Sequence, residues 1–449
     1  QQTITPTPMK TVPSPLPPLV AVAALALGQA GLAQNQLLEV LKDENARGAE
    51  FWIYNDLAAA RAEAKRANKP LFVTFRCVPC ADCKGFDAEV AKNNQRIKNF
   101  TQEKFVAVRQ VEMKGVDLSQ FQFDYDLNWA AMFINADGTV YARYGTQSAM
   151  GADAYNSVES LEKTMRRVLA LHNGYPANQA ALAGKLGKPK PYKSALQMPG
   201  MKHRSKLAGS TARNNCVHCH NIHDAEHEQL QDAGRLNHDA LWRYPLPDNL
   251  GLQLDPSDGL VVTAVQADSP ADKAGLHPSD VLTRADGQVL TSIADLQWVL
   301  HNLPNTSANV TLKATRGDHA IEKKLAMNAD WKKTDISWRG SIWSIKPVLA
   351  TWCAPMKDKQ IKPLRLAKGV KPLEVRWINT GRPEGRNAKR AGLRQGDIII
   401  GMEGIPLRMT SQHFNMHVKL NYRVGDKLPL ILLRKGKRIH FDWPLTDGD

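Results

Sequence analysis

The sequence is poor in cysteine and has no long apolar run. Six cysteines occur among 449 residues, and the only uninterrupted apolar segment is "LVAVAALALG" from Leu19. A transmembrane helix needs about 20 consecutive apolar residues, so this segment is too short to span a bilayer. Because 43% of the residues are hydrophobic, wholesale disorder is excluded as well. The chain is predicted to be a soluble, modular globular protein of about two to four domains.

Residues 1–33 have the features of a bacterial secretory signal. Met9-Lys10 supplies a basic start before the apolar run, and the small residues of "GQAGLAQ" follow it. The true start of the signal is predicted at Met9, and an uncleaved amino-terminal anchor is the alternative. Either arrangement predicts a periplasmic or otherwise exported protein. In such an oxidising compartment, cysteines form disulfides or carry haem.

Acidic residues are scarce in the last quarter of the chain. Residues 331–449 hold 24 Lys and Arg against 10 Asp and Glu, so +14 of the net charge of +15 lies there. A basic patch such as "LLRKGKRIH" suits nucleic acid, an anionic membrane surface or an acidic partner. Since the export signal argues against nucleic acid, an anionic membrane surface and a merely solvated basic face stay open.

Residues 45–172 have the alternating pattern of an α/β domain. An Ala-rich helical stretch, "NDLAAARAEAKRA", precedes the buried-strand pattern "KPLFVTF". A strand pair follows around "AAMFINADGTVYARYG", with Asp137-Gly138 as its turn, and "SVESLEKTMRRVLALH" closes the unit as a helix. The next residues are rich in Gly, Pro, Lys and Ser, so residues 173–243 are predicted to form a linker.

Three cysteines stand at equal intervals just after the predicted strand. In "FRCVPCADCKGF", Cys80 and Cys83 are predicted to begin the next helix, a spacing that resembles the thioredoxin fold. Backbone N–H groups at a helix start stabilise a thiolate, and Cys83 one turn later is close enough to form a disulfide. Cys80 is therefore predicted to attack and Cys83 to resolve. Cys77 either resolves instead or adds a third soft ligand for copper or zinc.

One position departs from the thioredoxin pattern. That fold carries a cis-proline opposite the active cysteine, whereas this sequence has "NWAAMF", with Trp129 or Ala130 in its place. The resemblance implies that the proline shapes the substrate groove and discourages metal binding. Its absence weakens the expectation of ordinary oxidoreductase activity and strengthens that of metal handling. Thiol-disulfide redox or redox sensing, metal binding and a structural disulfide without turnover all stay open.

A second cysteine motif lies in the predicted linker. Cys216, Cys219 and His220 have the C-x-x-C-H spacing that attaches c-type haem through two thioethers, with the histidine as axial iron ligand. Export fits this prediction, because c-type haem is attached outside the cytoplasm. The sixth iron ligand is left open among Met198, Met201, His203, His223, His227 and His238.

Zinc and a plain disulfide are the rivals of haem at this motif. Cys216, Cys219, His223 and His227 are all zinc-ligand types. Only three residues separate Cys219 from His223, far fewer than the loop of a zinc finger. Cys353 stands alone in "ATWCAPM" and is predicted to be a buried apolar filler.

The carboxy-terminal half repeats itself. Ala274-Gly275-Leu276, Asp280 and Gly287 recur 117 residues later as Ala391-Gly392-Leu393, Asp397 and Gly404. A regular internal repeat marks two copies of one module, which we call the first repeat (244–330) and the second repeat (331–449). The pattern A-G-L-x-x-x-D-[VI]-[LI] resembles PDZ domains of the bacterial, protease-associated kind. The chain has no G-x-S-G-G serine sequence ahead of the repeats, so no protease signature accompanies them.

The PDZ resemblance implies a binding site for peptides. PDZ domains add an extended peptide to a sheet edge and hold its carboxylate with backbone N–H groups of a Gly-containing loop. Leu250, Gly251 and Leu252 in "NLGLQL" are the candidates for that loop in the first repeat. "SWRGSIW", with Gly340, is the candidate in the second repeat, where its bulk makes carboxylate binding doubtful. Modules that only pack on the rest of the protein are the alternative.

Several segments together resemble the bacterial family of thioredoxin-fold and PDZ-domain-containing (seleno)proteins. They are "FRCVPCADCKGFD", "CVHCHNIHDAE", "LWRYPLPDNLGL", "TDISWRGSIW" and "VKLNYRVGDKLPL". The resemblance implies a multidomain chain, α/β and then mainly β: a thioredoxin-like domain followed by two PDZ-like domains. The predicted function is an exported thiol redox protein with a haem-bearing segment and a peptide or protein partner. A non-enzymatic periplasmic scaffold, a haem electron-transfer protein and a metal-handling protein are the alternatives.

Overall fold

The computed structural model describes residues 36–78 and 84–447 and has a mixed α/β fold with several sheets. The strands are β1 Ile53–Tyr54, β2 Leu71–Arg76, β3 Val106–Gln110, β4 Trp129–Ile134, β5 Val140–Tyr144, β6 Leu252–Leu254, β7 Val262–Val265, β8 Val281–Ala285, β9 Gln288–Val289, β10 Ala308–Arg316, β11 His319–Met327, β12 Thr351–Pro355, β13 Leu373–Ile378, β14 Ile398–Met402, β15 Ile405–Pro406, β16 Lys427–Arg434 and β17 Lys437–Pro444.

The α-helices differ widely in length. They are α1 over 36–41, α2 Leu57–Ala67, α3 Lys84–Ala88, α4 Gln95–Lys104, α5 Val158–Asn173, α6 Gln179–Leu182, α7 Arg204–Leu207, α8 His220–Asp232, α9 Pro270–Lys273, α10 Ile293–Asn302, α11 Asp358–Ile361, α12 Pro383–Arg390 and α13 Ser411–Asn421. Short 3₁₀ helices include Pro247–Leu250 and Gly340–Ser344. None of the helices in 36–78 and 84–447 combines the length and the apolar content needed to cross a membrane. The predicted signal, 1–33, lies outside the described residues.

The amino-terminal unit is a five-stranded sheet in the order β1-β3-β2-β4-β5. Strands β1, β3 and β2 run parallel to one another, β4 is antiparallel to β2, and β5 is antiparallel to β4. Strand β2 is buried along its whole length because helices and loops cover both faces. Phe72 points into one hydrophobic cluster, whereas Val73 and Phe75 point into the other. Since successive side chains of a strand face opposite sides, one apolar run serves two cores.

The predicted elements of this unit are present. The carboxylate of Asp56 caps helix α2 by accepting from the backbone N–H of Ala59 at 2.9 Å, and "KPLFVTF" contains strand β2. Side-chain acceptors at a helix start satisfy N–H groups that have no partner inside the helix. Helix α3 is described from Lys84 onward, so the predicted helix start at Cys80 lies outside the described residues, as do Cys80 and Cys83 themselves.

The prediction of a linker over 173–243 is wrong, because this stretch packs against the amino-terminal unit. Met198 and Val217 are fully buried, and Ile222 nearly so, in the same cluster as Val73 and Phe75. The few apolar side chains are scattered among Gly, Pro and Lys, so the composition resembles that of a flexible segment. Their burial nevertheless makes the C-x-x-C-H segment part of the hydrophobic core.

The two repeats have the same order of elements. In each, a strand pair (β6–β7 or β12–β13) precedes a short helix, a core strand (β8 or β14), a longer helix (α10 or α13) and a final hairpin. The repeated aspartates do the same work in both copies. Asp280 accepts from the His277 N–H and pairs with Arg316, whose Nε lies 2.7 Å from Asp280 Oδ1. Asp397, 117 residues later, caps the matching turn and pairs with Arg434 at 2.7 Å.

Candidate functional site

Cys77 follows directly on strand β2, where the chain leaves the sheet. Its Sγ lies 2.8 Å from Nδ1 of His218, the residue inside the C-x-x-C-H motif. The two cysteine motifs are 141 residues apart at this contact. Cys77 is partly exposed, so the contact lies at the rim of the core. The structure thus joins two motifs that the sequence presents as separate sites.

The C-x-x-C-H segment is held by the chain that follows strand β3. The Met113 N–H donates to the Val217 carbonyl at 3.1 Å, and the Val217 N–H donates to Glu112 Oε1 at 3.1 Å. Lys114 adds a third tether by donating from Nζ to the carbonyl of Asn215 at 2.8 Å. These bonds fix both the position and the orientation of the segment against the sheet edge.

The thiols of Cys216 and Cys219 are buried, each about nine-tenths. Cys216 Sγ lies 3.6 Å from the Val111 carbonyl. Burial raises the pKa of the Cys216 thiol, and the negative charge of the nearby Glu112 carboxylate and the proximity of Cys77 raise it further. Burial and the proximity of Cys77 likewise raise the pKa of Cys219. Both thiols are therefore protonated at neutral pH, and Cys216 has a carboxylate beside it that can accept its proton.

His218 is uncharged at neutral pH. Burial lowers its pKa to about 4, and the neighbouring His220 acts in the same direction. The two imidazole rings are stacked, with centroids 5.6 Å apart and planes inclined by 1°. A neutral imidazole can accept a proton from a thiol, so the Nδ1 atom beside Cys77 is placed to act as a base.

A buried ionic cluster supports the sheet beneath Cys77. Nη2 of Arg109 lies 2.7 Å from the Asp87 carboxylate, and Nε of Arg76 lies 3.2 Å from it. Burial alone would raise the pKa of Asp87, but the two guanidinium groups more than offset this and lower it to about 2. Trp129, at the position without the family proline, donates from Nε1 to Asp87 at 3.1 Å and lies opposite Arg76 in the strand register.

The surroundings of Cys216, Cys219 and His220 do not fit a haem. Both sulfurs are packed against protein, and Cys219 belongs to the hydrophobic core. The His220 ring has His218 on one face, and a Cβ built on Gly340 would lie 3.4 Å from its Cγ. A cavity of about 660 Å³ nearby is lined by Met201 and His203, but by neither cysteine nor His220. A porphyrin bonded to these three residues would have to displace the packing on strand β3.

The zinc alternative is not assembled either. His223 contacts buried carboxylates, with Nδ1 3.1 Å from Glu226 and Nε2 3.7 Å from Asp124, and Nδ1 of His227 lies 3.3 Å from the Ser344 hydroxyl. Among residues 36–78 and 84–447, the three ligand types whose atoms all lie within 4.8 Å of one another are Asp124, Asp126 and His223. Arg339 already neutralises these carboxylates, with Nη1 at 2.7 Å from Asp124 and 3.2 Å from Asp126. The cluster is an ion-pair junction between three parts of the chain.

The copper or zinc prediction for Cys77, Cys80 and Cys83 stays a prediction, since the last two lie outside the described residues.

Cys353 is buried in strand β12, and burial raises its pKa to about 12. This is the inert environment that the sequence predicts for it.

The peptide-binding loop predicted in the first repeat has the expected backbone but a buried position. Gly251 ends the 3₁₀ helix before strand β6 with a φ of +80°. Leu250 and Leu252 beside it are fully buried. The Gly251 carbonyl accepts from the Gln266 N–H at 2.8 Å, which ties the loop to the far end of β7. The loop is therefore formed, and its flanking leucines are core residues.

The candidate loop with Gly340 in the second repeat is wrong. Gly340 begins a 3₁₀ helix that packs against helix α8. The matching position is Ala350, which precedes β12 with a φ of +49° and accepts from the Asn379 N–H at 2.8 Å, as Gly251 accepts from Gln266. Because Ala stands where the first repeat has Gly, the sequence pattern did not reveal the loop.

The first repeat is docked on the amino-terminal unit through helix α10. Nζ of Lys185 lies 2.6 Å from Asp295 of α10, and both side chains are fully buried. The Arg143 N–H of strand β5 donates to Asp295 at 3.1 Å, and its guanidinium stacks 3.7 Å from the ring centroid of Trp298. Helix α10 is consequently buried on both sides over residues 293–300.

Sequence reasoning missed the residues that complete the site. His218 lies inside C-x-x-C-H, where the haem motif assigns it no role. Glu112 lies in "QVEMKG" just after strand β3, and a lone carboxylate that follows the apolar stretch "FVAV" is the one sequence signal that could have found it.

Comparison with known proteins identifies two domains. Residues 52–136 match the thioredoxin-like family, and residues 248–326 match the PDZ domain family. A probable periplasmic serine endoprotease, DegP-like, from Marinomonas sp. (strain MWYL1) is 23% identical over 194 residues, which are 43% of this chain and 39% of the relative. A probable periplasmic serine protease do/HhoA-like from Haemophilus influenzae is 33% identical over 144 residues, which are 32% of this chain and 27% of the relative.

The chain thus covers well under half the length of these curated relatives. A solved HtrA-type protease, AlgW with a decapeptide, aligns with a TM-score of 0.22 and 14% identity over 41% of this chain and 54% of that one. The predicted pairing of a thioredoxin-like domain with a PDZ domain is confirmed by the two family matches. The chain therefore contains a thioredoxin-like domain over residues 52–136 and a PDZ domain over residues 248–326.

Proposed function

We propose that the chain is an exported thiol redox protein whose loop of Cys77, Cys80 and Cys83 exchanges electrons with a disulfide of a protein partner. The observation that carries this proposal is the 2.8 Å contact between Cys77 Sγ and His218 Nδ1. A thiol reacts only as its thiolate, so a neutral imidazole at this distance supplies the proton acceptor that activation needs. Both curated relatives are named as periplasmic, which supports export.

The exchange would run in two steps on this loop. The thiolate of Cys80, stabilised as the sequence predicts by the start of a helix, attacks the partner disulfide and releases one partner thiol. Cys83 or Cys77 then attacks the mixed disulfide and releases the second partner thiol. With Cys77 in this resolving role, His218 accepts its proton at Nδ1. The net result is a reduced partner and an oxidised loop.

The PDZ domain would bring the partner to the loop as a bound peptide. PDZ domains recognise extended peptides by strand addition, and the domain is docked on the redox unit through Asp295 and Trp298. The second repeat, PDZ-like in its order of elements, would add a further partner surface. Trp352 and Trp377 face each other across β12 and β13 and are 60% and 53% exposed. An exposed pair of this size is typical of interaction surfaces.

The test is thiol-disulfide exchange with glutathione disulfide, measured on the reduced full chain. Cys80→Ser should abolish the exchange, and Cys77→Ser should slow it. Cys353→Ser, which removes a buried thiol in β12, is the matched control and should leave the rate unchanged. If neither loop substitution changes the rate, the redox proposal fails.

A non-enzymatic scaffold is the second candidate function. The observation that favours it is the buried ion pair of Lys185 and Asp295, which holds helix α10 of the PDZ domain in place. A scaffold needs its domains in such a fixed arrangement. A scaffold predicts that the partner binds equally well after Cys77, Cys80 and Cys83 are all replaced by Ser and that no exchange is measurable in the wild type.

A further inference from the structure

We propose that Cys216 and Cys219 are a second redox pair, which exchanges a disulfide with Cys77 and so acts as an internal electron relay of the thioredoxin-like site. This inference rests on the proposed thiol chemistry of the loop. It assigns the two cysteines to thiol exchange instead of haem attachment. The same two sulfurs cannot serve both purposes, because each thioether bond to haem consumes one thiol.

The sheet topology brings the two motifs to one edge. Strands β2 and β3 are parallel neighbours, with Phe75 paired to Gln110 in the register. Cys77 follows the end of β2, and Val111 follows the end of β3. Since the carboxyl ends of parallel strands meet at the same edge of a sheet, Cys216, whose Sγ lies 3.6 Å from the Val111 carbonyl, is held beside the chain that carries Cys77.

Each of the two reaction partners has its own proton acceptor. His218 Nδ1 lies 2.8 Å from Cys77 Sγ, and the Glu112 carboxylate lies close enough to Cys216 that its charge raises the pKa of that thiol. Glu112 is itself fixed, since Oε1 accepts from the Val217 N–H at 3.1 Å and Oε2 accepts from Thr211 Oγ1 at 3.0 Å. Lys114 Nζ lies 3.8 Å from Oε2 of Glu112, so the carboxylate is held in place beside the thiol whose proton it accepts.

The step balances with the disulfide that the proposed reaction leaves on the loop. The Cys219 thiolate attacks Sγ of Cys77 in the oxidised loop, the loop disulfide breaks, a Cys77–Cys219 bond forms, and the other loop cysteine leaves and takes up the proton that Cys219 gave. Cys216 then gives its proton to Glu112 and attacks Cys219, so the Cys216–Cys219 disulfide forms, the Cys77–Cys219 bond breaks and Cys77 leaves and takes up that proton. Two electrons and two protons pass from the C-x-x-C pair to the loop, and an external thiol of the glutathione class reduces the pair again.

The experiment maps disulfides in the full chain after mild oxidation with glutathione disulfide. Wild type should yield linked peptides of Cys216 and Cys219. Cys216→Ser removes the thiol that resolves the Cys77–Cys219 mixed disulfide, so this mixed disulfide should accumulate, and it should vanish when Cys77→Ser is added. Cys353→Ser should give the wild-type pattern. Because the wild-type map needs no substitution, the result does not depend on whether the variants fold.

Two outcomes would overturn the relay. One is a peptide in which Cys216 and Cys219 carry haem when the protein is produced with haem-maturation machinery. The other is a loop that exchanges with glutathione disulfide while Cys216 and Cys219 stay thiols. The second outcome leaves the proposed function intact, whereas a wild-type loop without any exchange defeats the proposed function itself. The two failures are therefore distinguishable.

An independent observation concerns the peptide groove of the PDZ domain, which lies between strand β6 and helix α10. We infer that residues 154–157 of the amino-terminal unit occupy this groove and close it to free peptides. The Tyr155 hydroxyl donates to Asp248 at 3.0 Å, just before β6. Ser157 Oγ donates to the Pro256 carbonyl at 2.9 Å, just after β6. The short segment is therefore bonded to the chain just before and just after the strand.

The side chain of Tyr155 makes this segment resemble a bound ligand. It is nine-tenths buried and belongs to the core cluster of the PDZ domain, together with Leu250, Leu252 and Ile293. A ligand carried on the same chain has an effective concentration in the millimolar range, so it outcompetes a free peptide of modest affinity. A partner peptide reaches the groove only when the segment leaves it.

The test uses a synthetic peptide that copies residues 150–159 and measures its binding to the full chain. Tyr155→Ala should bind the peptide at least about tenfold more tightly than wild type, because its own segment competes less well. Tyr175→Ala, which removes a tyrosine away from the groove, should bind as wild type does. Equal binding by wild type and Tyr155→Ala would overturn the inference. A peptide with Ala in place of the tyrosine should bind neither protein, and circular dichroism checks that both variants are folded.

Discussion

The guanidinium of Arg339 lies 2.7 Å from the carboxylate of Asp124, across 215 residues of chain. The Arg339 side chain also contacts Asp126, and its Nη2 donates to the Arg243 carbonyl at 2.7 Å. One side chain from the start of the second repeat thus joins the thioredoxin-like unit to the segment before the PDZ domain. The junction is buried, since Arg339 is 4% exposed.

Arg339→Met should destabilise the fold by about 3–5 kcal/mol, because it leaves two carboxylates buried without their counter-charge. Urea unfolding followed by tryptophan fluorescence measures the change. Arg376→Met is the matched control, since Arg376 pairs with Glu374 at the surface, at 2.9 Å, and should cost less than about 1 kcal/mol. Equal unfolding midpoints for Arg339→Met and wild type would show that the junction adds no stability.

The sequence predicts those parts of the fold that local pattern determines. The apolar run of β2, the Asp56 cap of α2 and the 117-residue repeat all depend on neighbouring residues or on a copied pattern. The docked position of Val217 does not, because the groups that bond to its backbone, Glu112 and Met113, lie more than 100 positions earlier. Its surrounding Gly, Pro and Lys residues are those of a linker, so its burial has no local signal.

The same distinction explains the site. Cys77, Cys80 and Cys83 are visible as a motif, and so are Cys216 and Cys219. The contact between Cys77 and His218 is not visible, since it depends on which sheet edge the second motif meets. Likewise, the covering of the PDZ groove by Tyr155 depends on how two domains dock. A single tyrosine between small residues forms no sequence pattern that predicts such docking.

The cysteines should differ in reactivity when the protein is fully reduced. Cys77 is partly exposed beside a base, whereas burial raises the pKa of Cys216, Cys219 and Cys353. Iodoacetamide reacts with thiolates, so Cys77 should be modified at least about tenfold faster than these three. Peptide mass spectrometry over time measures the rates, and denatured protein, in which all cysteines should react alike, is the control. A Cys353 that reacts as fast as Cys77 would contradict the burial argument.

Stability should fall as the pH is lowered from about 6.5 toward about 4, in part through His218. Burial lowers its pKa from 6.5 to about 4, so in this window the unfolded chain binds a proton that the folded chain does not. The unfolded state is then favoured at lower pH, by at most about 1.4 kcal/mol per pH unit. His218→Asn should reduce the slope of unfolding free energy against pH.

His319 offers the control for this pH dependence. It is exposed at the start of strand β11, so His319→Asn should leave the slope unchanged. Unfolding in urea at a series of pH values between about 4 and 7 gives the slopes. If His218→Asn and His319→Asn have the same slope as wild type, then His218 is not the group that titrates in this window.

Gly251→Ala should destabilise the PDZ domain more than Gly287→Ala. Both glycines have a positive φ, of +80° and +78°, which costs an Ala residue about 1–2 kcal/mol. A Cβ at Gly251 would also lie 2.2 Å from Ser269, whereas a Cβ at Gly287 meets nothing within 4 Å. Because of this steric clash, Gly251→Ala should have a lower melting temperature than Gly287→Ala in thermal unfolding. Identical melting temperatures would mean that the loop before β6 relaxes without cost.

The second repeat allows the reverse substitution, because Ala350 occupies the place of Gly251 with a φ of +49°. Ala350→Gly should stabilise the fold by about 0.5–1 kcal/mol. Glycine adopts the left-handed backbone without strain, and this gain exceeds the cost of the larger conformational entropy that glycine gives the unfolded chain. Ala354→Gly in strand β12, which follows Ala350, is the control: its backbone is extended, so glycine relieves no strain there and should destabilise by about 0.5–1 kcal/mol. Urea unfolding of both variants measures the two signs. Destabilisation by Ala350→Gly as well would mean that the Ala350 backbone is not strained, and that the two repeats differ in how they form the loop before the first strand.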